Sequence, residues 1–164
     1  MTIRPANSRD VARMHQILHV AARATAKDHV FVDDEEFFAA HVAERGFTLV
    51  GEEDGQLIAF QIVRFPGPDE DNLGPDLQVD PARVAHMEIC AVDPAFQRRG
   101  WQSRLVGAAV QAVPSGYDVI ASTVHPDNAA SLAALHRSGF REVARVRKYG
   151  GLPRIILRLD LNHD

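Results

Sequence analysis

Residues 92–105 read Val92-Asp93-Pro94-Ala95-Phe96-Gln97-Arg98-Arg99-Gly100-Trp101-Gln102-Ser103-Arg104-Leu105. An apolar run ends there, a short segment carries two arginines and a glycine, and a helical pattern begins. Backbone N–H groups at a helix N-terminus, backed by the helix dipole, make an anion site that suits a pyrophosphate. Glycine allows close backbone approach, and Arg98 and Arg99 bring positive charge. The same residues also describe an ordinary strand-to-helix turn with solvated arginines, and physics alone leaves both readings open. A second segment runs from Val124-His125-Pro126-Asp127-Asn128-Ala129-Ala130-Ser131 on to Leu135-His136-Arg137-Ser138-Gly139-Phe140. In it Asn128 suits a helix N-cap and Gly139 the position just past a helix end. Two other patterns offer less. His15 and His19 stand at i and i+4, half of a zinc motif, but Gln16-Ile17-Leu18 supplies no glutamate and no third ligand is evident, so no metal is expected. Cys90, between Ile89 and Ala91, reads as a buried, inert thiol rather than a nucleophile.

The elements that must position these residues follow from periodicity. A short strand over residues 2–4 stops at Pro5. Asn7 or Ser8 caps a helix over residues 9–24, with Val11, Met14, Ile17, Leu18 and Ala21 at helical spacing. Asp33-Asp34-Glu35-Glu36 opens a second helix, buried along Phe37, Phe38, Ala39 and Val42 and ended by Gly46. Residues 47–51 and 56–64 form a hairpin around Asp54-Gly55. Residues 65–82 hold five acidic residues, no basic one and four prolines, and read as a long polar loop. After it come a strand (84–92), a helix (100–113), a strand (119–124), a helix (128–138) and two strands (141–148 and 153–161) joined through Gly150-Gly151. The order βααβββαβαββ describes an α/β protein with a mixed sheet and helices packed on its faces.

Taken together, in this order and spacing, the two chemical segments resemble the GCN5-related N-acetyltransferase (GNAT) family. Gln97-x-x-Gly100-x-Gln102 matches the family's Gln/Arg-x-x-Gly-x-Gly/Ala signature, and Asn128, eleven residues ahead of Gly139-Phe140, matches its second motif. The resemblance implies one GNAT-like acetyltransferase domain over residues 1–164, with a central sheet of about seven strands and four helices. It implies transfer of an acetyl group from acetyl-CoA to an amine. By position, the backbone of Cys90, Ala91 and Val92 runs beside the pantetheine and offers an N–H to the thioester carbonyl. Gln97, Arg98, Arg99, Gly100, Trp101, Gln102 and Ser103 wrap the pyrophosphate, Asn128 lies near the pantetheine, and Ser131 follows one helical turn later.

There are two departures. Gln102 replaces the last glycine of the signature, and it either turns outward, donates its amide to a phosphate oxygen, or obstructs the cofactor. Leu135 stands where many members place the tyrosine proposed to protonate the departing thiolate. The proton chemistry then falls to other residues. Glu88, mid-strand between Met87 and Ile89, is the candidate general base, where burial makes a carboxyl a stronger base. His125, just after a strand, can act as base or acid, and Tyr149 in the last hairpin can lean over the acceptor. His136 is a weaker acid candidate, about 100° round the helix from Leu135.

Composition bounds the rest. The chain has 164 residues, 46% hydrophobic and 24% charged, with a net charge of −4 and one cysteine. Those values argue against a disulfide framework and a nucleic-acid module. No apolar stretch reaches the ~18 residues of a membrane helix. The residues after Met1 lack the apolar core of a signal peptide, so a cytoplasmic protein is expected. Acidic residues at Asp28, at 33–36 and at 69–80 gather where the resemblance puts the acceptor, which points to a small, cationic amine. The alternatives are a protein N-terminal or lysine acetyltransferase and a non-catalytic acyl-CoA-binding module. A homodimer through the terminal strands is compatible with an open sheet edge.

Overall fold

Turn chemistry and strand alternation lead to one sheet. The computed structural model describes residues 1–23, 35–67 and 69–162. Its strands are β1 (Thr2–Pro5), β2 (Gly46–Glu53), β3 (Gln56–Arg64), β4 (Val84–Val92), β5 (Val119–Val124), β6 (Arg141–Lys148) and β7 (Leu152–Asp160). They lie in the order β1-β2-β3-β4-β5-β7-β6. Neighbours are antiparallel except β4 and β5, which are parallel. This is the mixed seven-stranded α/β sheet expected from the sequence.

Helices α1 (Val11–Arg23) and α2 (Glu35–Ala43) cover one face, and α4 (Trp101–Ala112) and α5 (Ala129–Arg137) the other. On the first face Met14, Ile17, Leu18 and Phe38 pack on Phe60, Ile62, Ile89 and Ala91. On the second, Trp101, Leu105, Val106 and Leu135 pack on Ala85, Met87, Ile120 and Ile155. The single tryptophan is sunk into the second core, its indole N–H donating to Glu53 Oε1 at 2.8 Å. Gly51 leaves it room: a Cβ there would lie 2.4 Å from the indole.

The sequence-based element list needs three corrections. Residues 65–82 are not wholly irregular: Gly74–Leu77 wind into a further helix, α3, making five helices rather than four. Pro75 fits a first helical turn, and Leu73 and Leu77, four residues apart, bury against Val84, Val119, Ala121 and Ile156. The segment therefore roofs the part of the first face beyond α1 and α2. In α2, Ala39 is exposed and His41 is buried instead. Helix α1 is preceded by a tight turn at Ser8–Asp10 capped by Asn7. Residues 24, 33 and 34 of the expected helices, and Asp28 of the expected acidic cluster, lie outside the described residues.

Two irregularities in β4 create the site. First, β4 and β5 pair only at Val84–Val119, Ala85–Ile120 and His86–Ala121, although β4 continues to Val92 and β5 to Val124. Beyond Ala121 the parallel strands part. Second, between the pairs Gln61–Cys90 and Val63–Met87, β3 advances two residues while β4 covers three. β4 thus carries a bulge at Glu88–Ile89. The cores report the consequence: Ala85 and Met87 belong to the α4–α5 face, whereas Ile89 and Ala91 belong to the α1–α2 face.

Candidate active site

Where β4 and β5 part, a cavity of about 460 Å³ opens through the sheet. It lies at the C-terminal ends of adjacent parallel strands, the place where open α/β sheets take ligands. Its walls come from both faces: Gln102, Val106, Asn128, Ser131 and Leu135 from α4 and α5, and Phe37, His41, Arg64, Glu70 and Tyr149 from the other side. Beyond Met87, the edge of β4 that faces β5 has no strand partner among the described residues. An extended, amide-bearing chain can take that place as an additional strand.

On the α4–α5 side the geometry suits an anion. Gly100 precedes α4 with φ +80°, Arg98 has φ +64°, and no side chain caps the helix. The first amides of α4 are therefore not taken up by a side-chain cap. A Cβ built on Gly100 would meet no atom within 4 Å, so the backbone there is open to a ligand. Arg98 makes no ion pair or hydrogen bond among the described residues. Arg99 is engaged otherwise: its guanidinium bonds Glu53 Oε2 at 2.7 Å and lies over the Phe96 ring. The Trp101 indole is likewise buried, leaving only the backbone of that residue at the helix start. Gln102, the departure from the signature, donates its amide to Ser131 Oγ at 2.8 Å and so ties α4 to α5 in the cavity wall. Asn128 Oδ1 accepts from Ser131 N at 3.3 Å, the N-cap read from sequence. Gln97 and Ser103 flank the loop, Ser103 Oγ accepting from Arg137 at 3.1 Å. A pyrophosphate fits this open helix end, and a pantetheine fits the unpaired edge of β4 at Cys90–Val92. Cys90 lines the cavity, and burial pushes its thiol up to about 12, far from thiolate chemistry.

Titratable groups converge on the other side. Alternation from Met87 puts Glu88 on that face, and the bulge brings Ile89 and Ala91 to the same side. Glu88 Oε1 accepts from Arg64 Nε at 2.6 Å. The sequence leads one to expect either a buried carboxyl or one paired with an arginine; the structure has a half-buried one fixed by Arg64. Its second oxygen has no hydrogen-bond partner among the described residues. Tyr149, left-handed at φ +53°, sends its hydroxyl to within 3.2 Å of Thr123 Oγ1. Burial raises its pKa, the Thr123 hydrogen bond offsets part of that, and the nearby Glu88 and Asp71 carboxylates raise it further. It is a phenol at neutral pH. His125 also lines the cavity; Nδ1 accepts from Asp127 N at 3.1 Å, which puts the proton of a neutral ring on Nε2. His136 faces away, bonded to Phe140 O, while Leu135 is in the wall.

Four titratable or cationic side chains of this wall carry no expected site role from sequence: His41, Arg45, Arg64 and Arg154. For Arg64 a signal exists, because Phe60, Ile62 and Arg64 alternate onto one face and a charge in that phase is anomalous. His41 lies between Ala39 and Val42 of the expected stripe, its Nδ1–H donating to Phe37 O at 2.7 Å. The His15–His19 pair is satisfied internally, ring nitrogens 3.0 Å apart. Among the described residues no group of three His, Cys, Asp or Glu is placed to hold a metal. No helix among them is long and apolar enough to cross a membrane.

This architecture has close counterparts. The chain superposes on the Escherichia coli ribosomal-protein-S18-alanine N-acetyltransferase with a TM-score of 0.75 and 24% identity, covering 99% of this chain and 95% of that one. A Salmonella typhimurium protein whose structure contains its cofactor acetyl-CoA gives 0.74 and 23%, with the same coverage. The Brucella melitensis ribosomal-protein-alanine N-acetyltransferase gives 0.74 and 20%, covering 98% of this chain and 100% of that one. At these identities the likeness speaks for the fold. No curated protein sequence gave a significant match. The sequence model of the acetyltransferase (GNAT) family, however, matches residues 11–140, which hold the parted strands, the open helix end and the Asn128 cap. With fold, site and sequence signature in agreement, the chain belongs to the GNAT acetyltransferase family.

Proposed function

We propose that residues 1–164 act as one acetyltransferase unit that moves an acetyl group from acetyl-CoA to the primary amine of a small molecule, both substrates being bound together. The parting of β4 from β5 carries this reading, because it joins an anion-suited helix end to a cluster of proton-handling groups through one opening. Acetyl-CoA, when bound, supplies the acetyl group as a thioester. The chain supplies the rest. Cys90, Ala91 and Val92 offer backbone hydrogen bonds to the pantetheine, and a β4 amide polarises the thioester carbonyl. Gln97, Arg98, Gly100, Gln102 and Ser103 hold the pyrophosphate, with Arg99 and Trp101 contributing backbone. Asn128 and Ser131 line the pantetheine's path.

An amine arrives as ammonium and must lose a proton before it attacks. The open oxygen of Glu88 takes that proton, directly or through water. Tyr149, held as a phenol, takes the role that Leu135 cannot fill and gives a proton to the departing thiolate. The C–N bond forms as the C–S bond breaks. Of the two protons the ammonium loses, one ends on sulfur and one reaches solvent. His125 is placed to pass protons at the cavity mouth. The single cysteine accords with a reducing, cytoplasmic setting, which is part of the proposal.

Calorimetry with acetyl-CoA and desulfo-CoA, followed by thiol release with an amine panel, tests the reading. Micromolar binding and amine-dependent release are expected; no binding at near-millimolar acetyl-CoA sinks it. Gly100→Ala sharpens the test. The extra methyl enters the open space over the helix end, so acetyl-CoA should bind at least tenfold more weakly, while backbone strain costs only about 1–2 kcal/mol of stability. An unchanged Kd means that the pyrophosphate lies elsewhere.

A further inference from the structure

The acceptor side of the cavity is not the acidic pocket that the sequence suggests. The acids of residues 69–80 are largely used within the fold. Asp76 pairs with Lys148 at 2.9 Å, and Asp80 accepts from Ala82 N at 3.0 Å. Glu70 lies 3.4 Å from Arg64 and 3.6 Å from Arg45. Against Glu70, Asp71 and Glu88 the wall sets three guanidinium groups, Arg45, Arg64 and Arg154. A purely cationic acceptor would meet guanidinium charges beside these carboxylates, two of which, Glu70 and Glu88, are already paired with Arg64.

Arg64 is the informative group. Its side chain is nine-tenths buried, where a guanidinium is costly unless its donors are used. Nε donates to Glu88, and Nη1 to Asp71 O at 2.9 Å. Nη2 makes no hydrogen bond among the described residues. It is not sealed either: the sealed, unpartnered polar atoms of those residues are His41 Nε2, Gln61 Oε1 and His86 Nδ1. A buried, charged donor therefore keeps open capacity in a residue that lines the cavity. Arg154, 4% exposed, lies with its guanidinium 5.9 Å from the centre of the Tyr149 ring. The alternation of β7, with Ile156 on the α3 face, puts Arg154 on the same side of the sheet as Arg64.

Building on the acetyl-transfer reading, we propose that the acceptor is a small amine that also carries a carboxylate or similar anion, of free amino-acid size, whose anion is held by Arg64 and Arg154 while its ammonium faces Glu88 and Asp71. A planar guanidinium fork matches a carboxylate in geometry as well as in charge. The neighbouring carboxylates supply the complementary sign for the ammonium. A cavity of about 460 Å³ that must also admit an acetyl thioester leaves room for little more.

The test uses the full chain with matched acceptors: free amino acids, their carboxamides as mimics of a peptide N-terminus, and the corresponding decarboxylated amines, with spermidine as a polycation. Expected is a kcat/KM at least tenfold higher for the free acid than for its carboxamide or decarboxylated amine. Arg154→Gln and Arg64→Lys should reduce that preference to below threefold, mainly through KM for the acid. Acetyl-CoA affinity, measured by calorimetry, should stay within about twofold and show that each variant is folded. Arg154→Lys, which keeps the charge without the fork, should retain part of the preference. Carboxamides or spermidine matching the acids would leave acetyl transfer standing and overturn the anion subsite. Acetyl-CoA binding without thiol release for any acceptor would overturn the transfer reading itself, and the subsite with it.

Discussion

Glu88→Gln slows acetyl transfer by about 10²–10⁴-fold at saturating acetyl-CoA, the range that a positioned general base contributes. The variant is nearly isosteric. Its amide oxygen can still accept from Arg64 Nε, now 2.6 Å from Glu88 Oε1, but it cannot take a proton. Binding of acetyl-CoA, which involves the opposite side of the sheet, should change by less than about threefold. Some stability is lost as well, because a buried guanidinium surrenders a counter-charge. Glu70, 3.4 Å from Arg64, remains to soften that loss, which should be about 1–3 kcal/mol. A positioning role alone would also lower the rate, so the pH profile decides between the two. The acid limb of wild-type kcat/KM, set by protonation of the base, should be missing from the variant. A loss below tenfold, or an acid limb that survives, removes Glu88 from the role and leaves it as the clamp on Arg64.

The surroundings of Glu88 contain a detail that no alternation pattern predicts. In a regular strand Ala85, Met87, Ile89 and Ala91 share one face, and Glu88 lies on the opposite face from Ile89. The bulge breaks the phase: Ile89 and Ala91 move to the α1–α2 core, and Glu88, paired with Arg64, shares their side. The elements on either side were legible because their signals are local: Asn7 and Asn128 as caps, Asp54-Gly55 as a hairpin turn, Gly100 before a helix. What joins them is not local. Helix α3 hid in a polar segment because only Leu73, Leu77 and Val79 of residues 73–80 are apolar, and its stability comes from Val84, Val119 and Ile156 across the sheet. Arg154 gives no sign in a strand at the chain's end until the strand order brings β7 beside β5. The open helix end and the Asn128 cap were readable from two short segments. The opposite wall of the cavity draws on segments far apart in the chain, and its charge balance follows from pairings between them.

The second large effect concerns how that acceptor wall is held. Lowering the pH from about 6.5 to 4 should cost the protein roughly 3 kcal/mol through one residue, His86. It is 3% exposed, and its Nε2 accepts the Leu73 N–H at 3.0 Å, which anchors the segment bearing Glu70, Asp71 and α3. The ring's other nitrogen is sealed without a partner. Burial, and secondarily the charge of Arg64, push its pKa down to about 3. The unfolded chain takes up a proton near pH 6.5 that the folded chain refuses until about pH 3. Between those values the unfolded state binds more protons, so stability falls as pH falls, by about 1.4 kcal/mol per unit. For a chain of this size that corresponds to a melting temperature lower by roughly 6–12 °C at pH 4. In His86→Gln the amide oxygen can accept the Leu73 N–H and nothing titrates. Melting curves of both proteins from pH 7 to pH 4 share every carboxylate contribution, so their difference isolates this histidine. The wild type should lose ground steadily to the variant below pH 6.5. Parallel curves would mean that the segment opens and lets His86 charge in solvent. Global unfolding is not needed for function to suffer, because the same protonation cuts the bond that keeps Glu70 and Asp71 against Arg64. The KM for the acceptor should therefore rise before the protein melts, and should do so less in His86→Gln.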